Sequence, residues 1–262
     1  MSLFITSLNS GSNGNCYYVG NEHEAVLIDA GISCRETETR MSRLGLPLDR
    51  VKAIFVSHEH SDHIRGIPRL AKKYQLPVYV TRKTLQRSGL NLPGGTTRPL
   101  LSNEPVQIGN LSVVAFPKRH DAADPHSFLI AHHDTKVGVF TDIGLPCQDL
   151  IHHFRQCHAA FLEANYDEQL LEHGRYPYYL KQRIRGGHGH LSNAQALHLF
   201  RTHKPAHMSH VLLAHLSKHN NCPQIVHDLF KPHANGIQLI VASRDRETPV
   251  YQVSAAREGL PY

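Results

Sequence analysis

Between residues 58 and 63 the chain reads His58-Glu59-His60-Ser61-Asp62-His63, four metal-competent side chains in six residues. They follow directly on the apolar run Val51-Lys52-Ala53-Ile54-Phe55-Val56-Ser57. Such a run reads as a buried strand, and its period of two puts His58 and His60 on one side of the strand end. Asp62 and His63 then fall on the turn into a following helix, where they can swing toward a second ion. A tetrahedral ion takes only about four ligands, usually histidine nitrogens with one or two carboxylates. Two chemically different pairs this close therefore suit two adjacent ions better than one. A His-rich loop without metal is the alternative in a chain carrying 22 histidines, but HxHxDH at a strand end is a specific signal against it.

The rest of the chain has to form a fold that completes this cluster. At 262 residues it can bury a full core, and a single domain over 1–262 is expected, since no repeat, low-complexity tract or linker divides it. Met1-Ser2-Leu3-Phe4-Ile5-Thr6 lacks a basic leader, and no apolar stretch is long enough to span a bilayer. A cytoplasmic protein without membrane contact is expected. Cys16, Cys34, Cys147, Cys157 and Cys222 are odd in number and scattered, as reduced thiols are. The formal charge of +6 would rise to roughly +10 with two divalent ions, which is compatible with a polyanionic substrate without requiring one.

Short apolar runs alternate with helical patterns, which indicates an α/β protein. Strands are predicted over 3–8, 16–19, 25–29, 51–57, 78–80, 106–108, 111–116, 127–131, 136–141, 159–163, 210–214 and 236–242. Helices are predicted over 34–44, 63–74, 146–154, 166–173, 177–184, 194–203 and 223–230. Gly109-Asn110 marks a hairpin. Hairpins mixed with strand-helix units predict two mostly antiparallel mixed sheets with helices outside.

Four further motifs end candidate strands: Leu27-Ile28-Asp29-Ala30-Gly31, Pro117-Lys118-Arg119-His120, Thr141-Asp142-Ile143-Gly144 and Leu212-Leu213-Ala214-His215. In order they give Asp, HxHxDH, His, Asp, His, and at all five points the chain resembles the metallo-β-lactamase fold superfamily. The resemblance implies a four-layer αβ/βα sandwich, two mixed β-sheets flanked by helices, with two divalent ions in a cleft at one edge. It assigns His58, His60 and His120 to the first ion, Asp62, His63 and His215 to the second, and Asp142 to both. Asp62 is also counted among the catalytic residues. Asp29 is expected to accept hydrogen bonds from the HxHxDH loop without touching metal. A nitrogen-rich set suits zinc, while the mixed shell also accepts manganese, iron or nickel.

Ser192-Asn193-Ala194-Gln195 has the S-x-x-Q form of a helix start, which puts His190 in the loop before a helix N-terminus. Glu163 ends a candidate strand. The pair resembles the dyad of the tRNA 3′-processing endonucleases of the superfamily, which implies that Glu163 orients His190 as general acid; His188 is the competitor. Over nearly the whole chain the resemblance is to the WalJ/YycJ-like exonucleases. It is carried by Asn9-Ser10-Gly11-Ser12-Asn13-Gly14-Asn15, Glu163-Ala164-Asn165-Tyr166-Asp167, Tyr176-Pro177-Tyr178-Tyr179-Leu180-Lys181-Gln182-Arg183-Ile184, Gly189-His190-Leu191-Ser192-Asn193 and His215-Leu216-Ser217-Lys218-His219-Asn220-Asn221. It implies 5′-to-3′ exonuclease action on DNA and a link to DNA repair. Tyr166 departs from the histidine common in relatives.

Ser10, Ser12, Asn13, Asn165, Lys181 and Arg183 are candidate substrate contacts. The 9–15 loop can offer amides and hydroxyls to a phosphate or form a plain tight hairpin. The segment 176–185 mixes tyrosines with cations, suited to gripping nucleic acid or to a solvated helix. Two other functions fit parts of the pattern: a phosphodiesterase for small cyclic or nucleotide phosphates, and a nucleic-acid binding module with a structural metal site. Asp142 and His215 are 73 residues apart, too few for the inserted domain of the larger RNA-processing nucleases of this superfamily.

Overall fold

The structure, a computed structural model, describes residues 1–255; residues 256–262 of the expected domain lie outside them. Two seven-stranded sheets pack face to face. The first contains β1 (Ser2–Asn9), β2 (Cys16–Gly20), β3 (Ala25–Ile28), β4 (Val51–Phe55), β5 (Val78–Val80) and β6 (Thr97–Pro99). The second contains β7 (Pro105–Ile108), β8 (Leu111–Pro117), β9 (His126–His132), β10 (Thr135–Phe140), β11 (Ala159–Glu163), β12 (His210–Ala214) and β13 (Gln238–Val241). The last strand, β14 (Tyr251–Ser254), returns to the first sheet and pairs with β1. Among the described residues no helix is long and apolar enough to cross a membrane.

The sheets are evenly mixed rather than mostly antiparallel. The sequence order of hairpins conceals that β3 to β6 pair in parallel in one sheet and β10 to β13 in the other. Parallel strands need long crossovers, and here helices supply much of them. Outside the first sheet lie α1 (Cys34–Arg43), α2 (Ser61–Ile64), α3 (Ile67–Tyr74) and α4 (Arg82–Ser88). The second half carries α5 (Gln148–Phe154), α6 (Glu168–His173), α7 (Tyr178–Arg185), α8 (Asn193–His203) and α9 (Pro223–Phe230).

Alternation decides which layer each residue joins. In β3, Val26 and Ile28 enter the core between the sheets, while Ala25 and Leu27 enter the core under the first sheet's helices. In β12, Leu212 and Ala214 face inward, while Val211 and Leu213 meet the second sheet's helices. Strands buried on both faces read as unbroken apolar runs, which is why they were visible in the sequence. β6, β14 and α4 were not predicted. The helix expected over 63–74 is broken into α2 and α3 at Gly66, whose N–H donates to Ala30 O at 2.8 Å.

Candidate metal centre

The site lies at the carboxyl ends of the parallel strands. Asp29 follows β3, His58 follows β4, Asp142 follows β10, Glu163 ends β11 and His215 follows β12. Three of these residues leave their strands in the left-handed region: Asp29 at φ 60°, Asp142 at 56° and His215 at 57°. Asp and His tolerate that region better than most side chains, at a cost the surrounding structure must offset. The turn reverses the backbone at once, which keeps each side chain at the sheet edge.

The first sheet supplies the HxHxDH segment. His58 and His60 leave β4 together, with His58 Nε2 3.0 Å from His60 Nδ1, whereas Asp62 and His63 sit inside the short α2. Gly31 lets α2 approach: a Cβ there would lie 1.6 Å from Asp62 O. Asp29 anchors the segment. Its Oδ1 accepts from Ser57 N at 2.8 Å and its Oδ2 from Ser57 Oγ at 2.7 Å. His63 Nδ1 stands 2.7 Å from the same Oδ2. A proton on Nδ1 puts a lone pair on Nε2, which lies 3.3 Å from Asp142 Oδ2 and 3.1 Å from Asn15 Nδ2.

The second sheet fixes its rings in the same way. His120 Nδ1 lies 3.0 Å from Gly189 O and His215 Nδ1 lies 2.9 Å from Glu163 Oε1. Glu163 Oε1 is also 2.8 Å from His190 Nδ1, while its Oε2 accepts from Ile143 N and Leu191 N at 2.7 and 3.1 Å. His188 is exposed, whereas His190 is half-buried beside Glu163. Ser192 and Gln195 form the reciprocal cap that sets His190 before α8.

Donor atoms of His58, His60 and His120 come within 4.8 Å of one another, as do those of Asp62, His63 and His215 and those of His58, His63 and Asp142. His120 Nε2, His215 Nε2 and Asp142 Oδ2 are buried without a hydrogen-bond partner among the described residues. Buried polar atoms seldom go unpartnered, and all three belong to the expected ligand set. Asp29, Asp62, Asp142 and Glu163 act together on one buried lysine, Lys118, so neutral rings would leave three of these negative charges without a cation among them. Burial depresses His63, yet Asp142, Asp29 and Asp62 lift it well above the ordinary imidazole value. Against the same burial, Asp142, Asp62 and Glu163 raise His215 to about 10. Burial, aided by Lys118, takes His120 down to about 3 and His58 well below its ordinary value. The carboxylates thus call for cations, which the raised His63 and His215 supply as protons and a metal ion can replace, while His58 and His120 stay unprotonated, so the residues fit divalent metal.

Some expected substrate contacts sit deeper than predicted. Ser10 is buried; its Oγ accepts from His215 N at 2.7 Å and lies 2.8 Å from Tyr17 OH. Asn165 is buried too, donating to His215 O at 2.7 Å. Both brace a proposed ligand. Ser12 and Asn13 are exposed, but Gly11 N, Gly14 N and Asn15 N are already bonded, so the loop is chiefly a tight turn. Arg183 and Lys181 are held by Asp121 Oδ2 and Glu172 O. Sequence reasoning missed Lys118, whose Nζ donates to Thr141 O at 2.7 Å; its two-residue spacing from His120 was the available signal. It also missed Asn15, with Nδ2 3.2 Å from Asp62 Oδ2, for which the sequence held no signal beyond its place in the loop.

The profile of the family described as beta-lactamase superfamily domain matches residues 24–215. The chain is 34% identical over 228 residues to the exodeoxyribonuclease YycJ of Bacillus anthracis, covering 86% of each chain. It is 29% identical to the exodeoxyribonuclease WalJ of Streptococcus pneumoniae over 225 residues, 84% of each. Among solved structures, the metallo-beta-lactamase fold protein YhfI from Bacillus subtilis superposes with a TM-score of 0.72 at 16% identity, over 96% of this chain and 100% of that one. Zn2+-bound PqqB from Methylobacterium extorquens gives 0.71 at 13% identity, over 96% and 99%.

Proposed function

Because this chain belongs to the beta-lactamase superfamily and is a WalJ/YycJ-like, metal-dependent hydrolase, we propose that residues 1–262 form one dinuclear phosphodiester hydrolase domain that degrades DNA from the 5′ end toward the 3′ end and serves in DNA repair. DNA is supported by the relatives, both exodeoxyribonucleases; polarity and repair rest on the resemblance. The observation that carries the reading is Glu163, one carboxylate 2.8 Å from His190 and 2.9 Å from His215. Donor atoms of Asp142, Glu163, His190 and His215 also lie within 4.8 Å of one another, and this reading gives His190 the proton rather than the metal.

In this reading His58, His60 and His120 would hold one ion, Asp62, His63 and His215 the other, and Asp142 would serve both. Zinc suits the nitrogens, with manganese, iron or nickel as alternatives. Such ions, when bound, neutralise a phosphoryl oxygen and acidify bound water. Asp29 holds His63 and Ser57 so that the α2 ligands face the cleft. Glu163 engages His190 at Nδ1 and leaves Nε2 to give a proton to the departing alkoxide. Lys118 offsets the four carboxylates from below. Ser12 and Asn13, at the exposed rim, are the substrate contacts retained from the small loop.

The test follows label released from the two ends of one phosphorylated duplex, with manganese or zinc added, against His60→Ala. Early metal-dependent release of the 5′ label as mononucleotide, lost in the variant, is expected. Intact DNA beside rapid hydrolysis of a small diester would replace the exonuclease with a small-molecule phosphodiesterase.

A further inference from the structure

Helix α7 has no buried residue. Its first turn carries Tyr178 and Tyr179, 73% and 74% exposed, and no other tyrosine or phenylalanine among the described residues is as exposed. Two adjacent rings left in water are uneconomical in a protein that buries Tyr17, Tyr18 and nearly every phenylalanine. The cations of the same helix are spent on holding it. Arg183 Nε donates to Asp121 Oδ2 at 2.5 Å, Arg185 to Glu172 Oε2 at 3.0 Å, and Lys181 to Glu172 O.

These holds tie α7 to the catalytic cleft. Asp121 directly follows His120 in the chain. Ile184 O, in the last turn of α7, accepts from His190 N at 2.8 Å, and Gly189 O in the same loop lies 3.0 Å from His120 Nδ1. Tyr179 and Arg183 are four residues apart, hence on one face of the helix, separated by about 6 Å of rise. Tyr179 therefore stands one turn from Arg183, with Tyr178 beside it, on an element tied to the site through Asp121 and through His190 N.

Resting on the nucleic-acid reading above, we infer that Tyr178 and Tyr179 form a stacking platform for unpaired bases of the strand that enters the cleft. The helix cations act as its anchors rather than as phosphate contacts. An aromatic face binds any base but only one outside a duplex, so the partner is a single-stranded or frayed end. The chain's formal +6 favours a polyanion over an apolar peptide on the same face.

The experiment uses the metal-loaded full chain and three forms: wild type, Tyr178→Ala/Tyr179→Ala and Tyr178→Phe/Tyr179→Phe. It measures Kd for a short single-stranded oligonucleotide, its rate of cleavage, and turnover of bis(p-nitrophenyl) phosphate, which is too small to span cleft and platform. The alanine pair is expected to weaken oligonucleotide binding by about fivefold or more per ring. The phenylalanine pair should bind as wild type, and small-diester turnover should stay in step across all three. Unchanged oligonucleotide affinity in the alanine pair would overturn the platform. An equal loss on the small diester would also overturn it, assigning α7 to the support of His190. A wild type that cleaves the small diester but neither binds nor cuts the oligonucleotide would instead sink the nucleic-acid reading itself.

Discussion

At the scale of single residues, the cleft is organised by groups that touch no substrate. Asp29 decides which nitrogen of His63 carries its proton, so Asp29→Asn should lower metal affinity by about 10–100-fold, read as retained metal after dialysis against a chelator. Equal retention by variant and wild type would remove Asp29 from the site. His190 makes a different demand. If it protonates a leaving alkoxide, His190→Ala should cut kcat on DNA by about 10²–10⁴, yet act far less on a diester with a p-nitrophenolate leaving group, which departs without a proton. Parallel losses on both substrates would contradict the assignment. The left-handed turns at Asp29, Asp142 and His215 had no signature in the sequence, because their conformation is imposed by strand ends and by bonds such as Ser10 Oγ to His215 N.

At the scale of elements, contacts between segments explain both what could be read and what could not. β4 and β12 were legible because a strand buried on both faces is apolar throughout, and the chemistry begins where the apolar run stops. α4 was not, since only Thr84 of its seven residues is buried and no apolar stripe exists to detect. β6 is a polar strand of three residues. The break between α2 and α3 depends on how closely the Ala30–Ile32 turn approaches Gly66, a tertiary fact. Gly31→Ala tests the same turn. With Asp62 O in its way, the added methyl must displace α2, and a loss of about 1–3 kcal/mol should accompany weaker metal binding in thermal melts with and without ion. A melt unchanged by the substitution would show that α2 is free to shift. Between α1 and α3, Glu38 Oε1 accepts from Lys73 Nζ, Tyr74 OH and Cys34 Sγ at 2.8, 2.9 and 3.1 Å. Lys73 first, then Cys34, lowers its carboxyl from the ordinary 4.5 to about 2. The resulting stabilisation is present above pH 4.5 and fades as pH falls through 2. Glu38→Gln should thus unfold at lower urea than wild type at pH 7, with the gap closing toward pH 2.

At the scale of the molecule, the metal ligands come from both sheets, so an ion bound among them would link the two halves. Saturation at about a hundred times Kd should stabilise the fold by about 2.7 kcal/mol, a rise in Tm of about 5–10 °C for a chain of this size. One transition should move as a unit in calorimetry; an ion that shifted only part of a split transition would place the site within one half. The four-layer order of the fold followed from the ordered motifs and the resemblance they carry, but the return of β14 to β1 did not. Tyr251–Ser254 is a short strand with one buried residue, and nothing local announces a partner almost the whole chain away. That pairing, with Leu3 opposite Val253, sets the order of events during synthesis. The ribosome releases β1 before every other strand of the two sheets and β14 after them, so the nascent protein carries an open strand edge until β14 emerges. Chaperone demand should therefore fall when permutation places β14 directly before β1.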